Sequence, residues 1–194
     1  MRKLIVSMNT TLDGYLSGPK CEMDWHFKHW TADMGDALCR ELFLADTVLM
    51  GRTTFNVFSR FADPVLQFAS TGRDNFPFFD MLNRYDKIVF SKTLQEVSWQ
   101  NSTICKTNLE KKIISLKEKP GKNIMLYGSA KLLRCLQQLK LVDEYQLYVH
   151  PIVLGKGKSM FENKDRLQFN CSCMERFSSG VVLMKLKVCL ISND

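Results

Sequence analysis

Several short stretches carry the residue types that hold a phosphorylated ligand. Met50-Gly51-Arg52-Thr53-Thr54-Phe55 follows an apolar run. A glycine at such a strand end lets backbone approach a ligand closely. A helix capped by Thr53 or Thr54 would present free N–H groups to a phosphate, and Arg52 adds a planar, permanently charged fork. Leu126-Tyr127-Gly128-Ser129-Ala130-Lys131 repeats the arrangement. Two strand–glycine–helix junctions in one small sheet suit the two ends of a dinucleotide. Phe90-Ser91-Lys92 ends another apolar run with a hydroxyl and an ammonium, which suit a further phosphate. Asn9-Thr10-Thr11-Leu12-Asp13-Gly14-Tyr15 turns at Asp-Gly after the first run, and Asp24-Trp25 joins a carboxylate to an aromatic in a plausible ligand clamp. Each stretch alone also has an ordinary reading: a capped helix with a surface arginine, a polar strand end, or a surface carboxylate beside a half-buried indole.

These residues need elements that bring them together. Leu4–Met8, Thr47–Met50, Lys87–Phe90 and Asn123–Tyr127 are short apolar runs suited to strands buried on both faces, hence to a largely parallel sheet. Met34, Leu38, Leu42 and Ala45 share one helical face, Leu132, Leu133, Leu136 and Leu139 share another, and Leu109–Leu116 predicts a third helix. The aromatic-rich segment from Phe61 to Phe79 reads as a partly helical surface insertion. Beyond Val142 the pattern changes: Tyr145–Leu154, Leu167–Phe177 and Val181–Ile191 predict three strands with no helix between them, the last two joined through Ser178-Ser179-Gly180. The expectation is one α/β domain over residues 1–194, its parallel sheet closing in an antiparallel C-terminal unit.

Composition narrows the function. The chain has 194 residues, 45% hydrophobic and 24% charged, which suits a single globular domain. Seven cysteines without regular spacing argue against a disulfide framework, and reduced thiols suit a cytoplasmic protein. The N-terminal apolar run is too short for a signal peptide, and no run could span a bilayer. The net charge of +7 is spread along the chain, so nucleic acid is not the expected partner, although the surplus favours an anionic small molecule. His26, His29 and His150 lack metal spacing with the cysteines, so no metal is expected.

Taken in order, these stretches resemble the dihydrofolate-reductase-like superfamily, and most closely stand-alone proteins similar to the C-terminal reductase domain of riboflavin-biosynthesis deaminase-reductases. The resemblance rests on Arg2–Ser7 through Leu12-Asp13-Gly14, Ala45–Phe55, Lys87–Ser91, Tyr127–Ala130, and the run from Leu141-Val142-Asp143-Glu144 to His150-Pro151-Ile152-Val153-Leu154-Gly155-Lys156-Gly157 with Phe161 after it. It implies a dihydrofolate-reductase-like three-layer fold and NADPH as hydride donor to a small heterocyclic substrate, pterin-, pyrimidine- or related. Gly51, Arg52, Thr53 and Thr54 would then hold the adenosine phosphates, Arg52 on the 2′-phosphate, with Ser91 and Lys92 flanking it. Gly128, Ser129 and Ala130 would receive the pyrophosphate. Ser7, Met8 and the loop with Leu12, Asp13 and Gly14 would line the nicotinamide. Asn9, Tyr15, Trp25 and Phe55 are the candidate substrate contacts and Asp24 the candidate proton donor. A homodimer through the C-terminal strands is also implied, since Phe169, Cys171, Cys173, Val181, Leu183 and Val188 exceed what one sheet face can bury. A second reading stays open: a non-catalytic nucleotide-binding or regulatory module on the same fold, because none of Asp24, Asp33 and Asp36 clearly matches the carboxylate of the dihydrofolate reductases' first helix.

Overall fold

The computed structural model describes residues 1–62, 77–162 and 166–189. The strands are β1 (Leu4–Thr11), β2 (Tyr15–Ser17), β3 (Ala45–Gly51), β4 (Asp86–Phe90), β5 (Ser102–Cys105), β6 (Asn123–Tyr127), β7 (Glu144–His150), β8 (Lys158–Ser159), β9 (Gln168–Arg176) and β10 (Val182–Cys189). The helices are α1 (Asp24–Lys28), α2 (Ala32–Leu42), α3 (Arg52–Phe58), α4 (Pro77–Arg84), α5 (Leu109–Glu118) and α6 (Ala130–Gln138). Eight strands form one sheet in the order β5-β4-β3-β6-β1-β7-β10-β9, and β2 pairs with β8 apart from it. The first six run parallel, whereas β10 is antiparallel to both β7 and β9. This is the expected mostly parallel sheet with an antiparallel C-terminal hairpin.

The apolar runs follow from burial on both faces. In β1, Leu4, Val6 and Met8 enter a core with Ile113 and Leu116 of α5 and Leu132, Leu133 and Leu136 of α6. Ile5 points the other way, into a core with Leu42 of α2, Phe55 of α3 and Phe78, Phe79 and Leu82 of α4. Alternate side chains of a strand serve opposite faces, so a continuous apolar run produces three layers. A third cluster packs Met34 and Ala37 of α2 on Tyr148, Phe177, Val181 and Leu183. Among the described residues no helix is long and apolar enough to cross a membrane.

Some expectations changed. Ala45, grouped with a helix face, opens β3. The edge strand β5 has only four residues and a weak apolar signal, so its sequence did not announce it. Most of the Phe61–Phe79 insertion, residues 63–76, lies outside the described residues; Phe61 ends in a 3-10 turn and Pro77 opens α4. Of the supposed apolar surplus at the C-terminus, Val181 and Leu183 are fully buried. Phe169 and Val188 pack on the first core. Cys171 and Cys173 on β9 remain exposed.

Polar groups fix the sheet at the opposite end from the glycine junctions. Arg2, nearly buried, bonds Asp46 and donates to the Thr47 hydroxyl at 2.7 Å, tying the start of β1 to β3. Lys117 pairs with Asp143 at 2.6 Å. Lys87 on β4 is fully buried; its ammonium donates to the carbonyls of Leu82 and Tyr85 at 2.6 and 2.8 Å and lies 4.7 Å from the Trp99 ring centroid. It thereby closes the C-terminal end of α4, where unpaired carbonyls favour a cation.

Burial lowers the Lys87 pKa from 10.5 to about 8. Between those values the unfolded chain binds more protons than the folded one, so this group's contribution to stability rises with pH across that window. Thermal unfolding of the parent and of Lys87→Met at several pH values tests this. Parent stability, measured relative to the variant, should increase from about pH 8 to about pH 10.5; a flat difference would show that Lys87 is not desolvated.

Candidate functional site

The two glycine junctions meet. A Cβ built on Gly51 would lie 2.5 Å from the Ser129 Cβ and 2.6 Å from its hydroxyl oxygen. A Cβ on Gly128 would lie 2.3 Å from the Thr54 hydroxyl oxygen and 2.9 Å from its methyl carbon. Each glycine therefore makes room for a side chain of the other junction. This is possible because β3 and β6 are hydrogen-bonded neighbours. Gly128 has φ +64° and Ser129 φ +59°, two successive left-handed residues that swing the chain from β6 into α6. The Ser129 hydroxyl accepts from the Leu132 N–H at 3.3 Å and caps α6. α3 begins at Arg52 with Gly51 as its cap residue and no side-chain cap. Thr53 and Thr54 thus sit in the first turn rather than at the cap: the Gly51 backbone already supplies the extended turn, and Thr54 packs on Gly128. Two helix starts converge, the geometry that favours anions.

Arg52 is exposed and donates to the Thr93 hydroxyl at 2.7 Å, bridging α3 to the loop after β4. Ser91, which ends that strand's run, accepts from the N–H groups of Thr93 and Leu94 at 3.3 and 3.0 Å and so closes its own turn. Lys92 is exposed. Arg52, Ser91 and Lys92 do gather beside one strand end, but the guanidinium already has a neutral partner and the serine hydroxyl is engaged with the backbone.

The loop after β1 is tied down. Asp13 accepts from the Thr11 hydroxyl at 2.6 Å and from the N–H groups of Leu154 and Gly155 at 3.2 and 2.8 Å. The Thr11 bond above all, then those backbone bonds, holds its carboxyl below the usual range. Asp13 therefore clamps two loops together. Leu12 is exposed, its N–H donating to the Ile152 carbonyl at 2.9 Å. The Gly14 carbonyl accepts from the Met160 N–H at 2.9 Å, and Tyr15 pairs with Ser159 across β2 and β8. Ser7 is buried on β1 opposite Tyr127. The Met8 side chain is in the α5–α6 core, which leaves its backbone as its contribution to a ligand. Ala130 opens α6. Phe55 is 4% exposed, with its ring 5.9 Å from Trp99; its helical position turns it into the core, so the structure gives it a packing role rather than a ligand wall.

Asp24 and Trp25 part company. Asp24 is exposed at the start of α1, whereas Trp25 is buried, edge-on to His150 with ring centroids 4.9 Å apart. His26 and His29 also lie beside His150, at 5.6 and 5.9 Å between centroids. The fold thus gathers all three histidines of the chain at the ends of β1 and β7. Asn9 joins them, its Oδ1 lying 2.8 Å from His150 Nε2. Among the described residues no group of His, Cys, Asp or Glu is arranged to hold a metal. Burial, with smaller contributions from His26 and His29, lowers His150 to about 3, and burial lowers His26 to about 4. Spacing relative to the cysteines does not reveal this cluster; its sequence signal is His26 in a short helix, His29 three residues on at that helix's C-cap, and His150 at a strand end.

A family model described as the RibD C-terminal domain matches residues 2–183. The chain belongs to that family. A relative is the uncharacterized protein YyaP of Bacillus subtilis strain 168, 35% identical over 182 residues covering 93% of this chain and 92% of YyaP. Another is YwjB of the same organism, also uncharacterized, 25% identical over 82% of this chain and 83% of that protein. A putative riboflavin biosynthesis protein from Shewanella sp. PV-4 shares the fold at a TM-score of 0.71 and 24% identity, over 97% of this chain and 99% of that one. A diaminohydroxyphosphoribosylaminopyrimidine deaminase/5-amino-6-(5-phosphoribosylamino)uracil reductase from Thermotoga maritima matches at 0.64 and 14% identity, over 97% of this chain but only 57% of its own. Membership of the RibD C-terminal family implies an oxidoreductase.

The interlocked junctions yield a test. A left-handed position costs a non-glycine residue about 1–2 kcal/mol, and a contact with Thr54 adds to it. Gly128→Ala should therefore lower the melting temperature by at least about 3 °C, given about 2–4 °C per kcal/mol for a domain of this size. Adding Thr54→Ala should recover part of the loss. Strictly additive effects would show that the two junctions do not touch.

Proposed function

We propose that this protein is an NADPH-dependent reductase acting on a small heterocyclic substrate, pterin-, pyrimidine- or related. The observation that carries the reading is the interlock of Gly51 with Ser129 and of Gly128 with Thr54, which sets two helix starts side by side as a bed for a dinucleotide's phosphates. Backbone N–H groups at Arg52–Thr54 and at Ser129–Ala130 would hold the phosphates, and Arg52, with Ser91 and Lys92 nearby, would hold a 2′-phosphate. When bound, NADPH supplies the hydride. The chain's own residues position and shield. Ser7 and the Met8 backbone, with the loop of Leu12, Asp13 and Gly14, flank the nicotinamide; Asp13 keeps that loop in place through Leu154 and Gly155. Asn9, Tyr15 and Trp25 face the substrate side, and Asp24 at the rim would pass a proton through water.

The exposure of Asp24 favours a second reading, a nucleotide-binding module without turnover. NADPH oxidation against pterins, pyrimidines and quinones separates the two. Oxidation that falls in Asp24→Asn supports the enzyme; tight NADPH binding with no oxidation of any of them supports the module.

Arg52 gives the cofactor test. NADPH should bind more tightly than NADH, and Arg52→Ala should cost about 1.5–3 kcal/mol of NADPH affinity, as for a charged hydrogen bond, while NADH affinity changes little. Equal affinities for the two cofactors in the parent would sink the assignment. A second copy of the chain is the proposed partner. β9 is a nine-residue edge strand exposed along nearly its whole length, with Cys171, Cys173 and Met174 open to solvent, and such an edge is stable when covered. Light scattering at micromolar concentration should report twice the 22.4 kDa chain mass; a monomer overturns the dimer.

A further inference from the structure

Away from the glycine junctions, the segment that joins β2 to α1 brings a thiol against an amine. The Lys158 ammonium, on β8, donates to the Cys21 sulfur. The two residues are 137 positions apart, and the fold builds the contact from both sides. β2 and β8 pair antiparallel with Ser17 opposite Lys158. Gly157 permits that approach, since a Cβ there would lie 2.1 Å from the Ser17 carbonyl oxygen. On the other side, residues 18–22 form a closed turn. The Gly18 N–H donates to the Glu22 carbonyl at 3.0 Å, the Cys21 N–H to the Gly18 carbonyl at 3.1 Å, and the Lys20 N–H to the Glu22 carboxylate at 2.7 Å. Cys21 sits in that turn at φ +69°, a left-handed conformation that a residue with a Cβ seldom adopts. Such an outlier persists only where its surroundings enforce it.

Both partners are open to chemistry. Cys21 is exposed. Glu22, next in the chain, turns its carboxylate to the Lys20 N–H, and among the described residues no carboxylate pairs with Lys158. Cys171 and Cys173 are exposed as well, but among the described residues neither touches an amine; the Cys171 thiol donates to the Cys173 carbonyl instead. An exposed thiolate is oxidised to a sulfenic acid, which condenses with a neighbouring thiol or nitrogen. The neighbour that the fold gives Cys21 is the nitrogen of Lys158.

We propose that Cys21 and Lys158 form an oxidation-driven crosslink, a sulfenamide bond between Cys21 Sγ and Lys158 Nζ, with hydrogen peroxide as the oxidant. The Cys21 thiolate attacks one peroxide oxygen, the O–O bond breaks, and the departing hydroxide leaves as water with the proton the thiol gave up. The sulfur, oxidised by two electrons, is then a sulfenic acid. The unprotonated Lys158 amine attacks that sulfur, the S–O bond breaks, and the hydroxide leaves as water with one proton of the amine. One thiol, one amine and one peroxide give one S–N bond and two waters. Two equivalents of a thiol reductant reverse the step, restoring Cys21 and Lys158 and ending as a disulfide. α1 begins three residues after Cys21, so the bond ties the entrance of that helix to β8 until a reductant releases it.

The test treats the parent with a small molar excess of hydrogen peroxide at pH 8, blocks the remaining thiols, and digests without reductant for peptide mass spectrometry. The expected product joins the Cys21 peptide to the Lys158 peptide at a mass two hydrogens below their sum, and dithiothreitol restores both peptides. Amide exchange of residues 18–28 should slow in the oxidised protein and recover on reduction. Cys21→Ser and Lys158→Arg should each lose the product. The arginine keeps a positive charge beside the sulfur but not the amine, so Cys21 in that variant should be oxidised past the sulfenic acid, as Cys171 and Cys173 are. Cys21 recovered from the parent as a sulfinic acid, with Lys158 unmodified, overturns the crosslink. So does a product that survives in Lys158→Arg, or one heavier by an oxygen, which would put an S–O–N bridge in place of the direct bond. None of these readouts depends on NADPH, so the crosslink stands or falls apart from the reductase reading.

Discussion

Two backbone turns come so close that neither tolerates a side chain, and much of the molecule follows from that constraint. Gly51 yields to Ser129 and Gly128 yields to Thr54. This closeness requires β3 and β6 to be adjacent and in a fixed register, which in turn requires the crossovers between parallel strands to be long enough to carry helices. The cores above and below the sheet serve that register. So does the Arg2 network at the other end of the strands, where a nearly buried guanidinium holds β1 to β3 through Asp46 and Thr47. The result is a rigid base from which α3 and α6 start side by side.

Rigidity at the junctions contrasts with economy elsewhere. The loop after β1 has little core of its own, so one carboxylate, Asp13, fastens it to the loop after His150. This clamp links the element beside the proposed nicotinamide position to the strand that carries the histidine cluster. α1 is short and contributes Trp25 inward while Asp24 stays in solvent. The face proposed to bind phosphate is thus built of backbone and the face beside it of aromatic rings, the division of labour that the proposed cofactor and a flat substrate would require.

Much of the fold was legible in the residues. The runs Leu4–Met8, Thr47–Met50, Lys87–Phe90 and Asn123–Tyr127 each became a parallel strand, because burial on both faces leaves a continuous apolar signature. The two glycine junctions were legible too, although their contact was not: no local pattern says that the room a glycine leaves is for a serine 78 positions away in the numbering, Gly51 to Ser129. β5 escaped because a short edge strand needs few apolar residues. Asp13 suggested a ligand contact but is used as a clamp, and Phe55 suggested a wall but is core; a residue type names what a side chain can do, and tertiary position decides what it does. The histidine cluster is the clearest case, since 121 positions separate His29 from His150.

The central claim is that the interlocked junctions are the cofactor's bed. Amide hydrogen exchange followed by mass spectrometry, with and without saturating NADPH, addresses it directly, because a phosphate held by backbone N–H groups must slow the exchange of those groups. Slowed exchange should centre on peptides covering residues 51–55 and 128–133. Unchanged exchange there, or protection confined to the opposite end of the strands around Lys117–Asn123, would contradict the account.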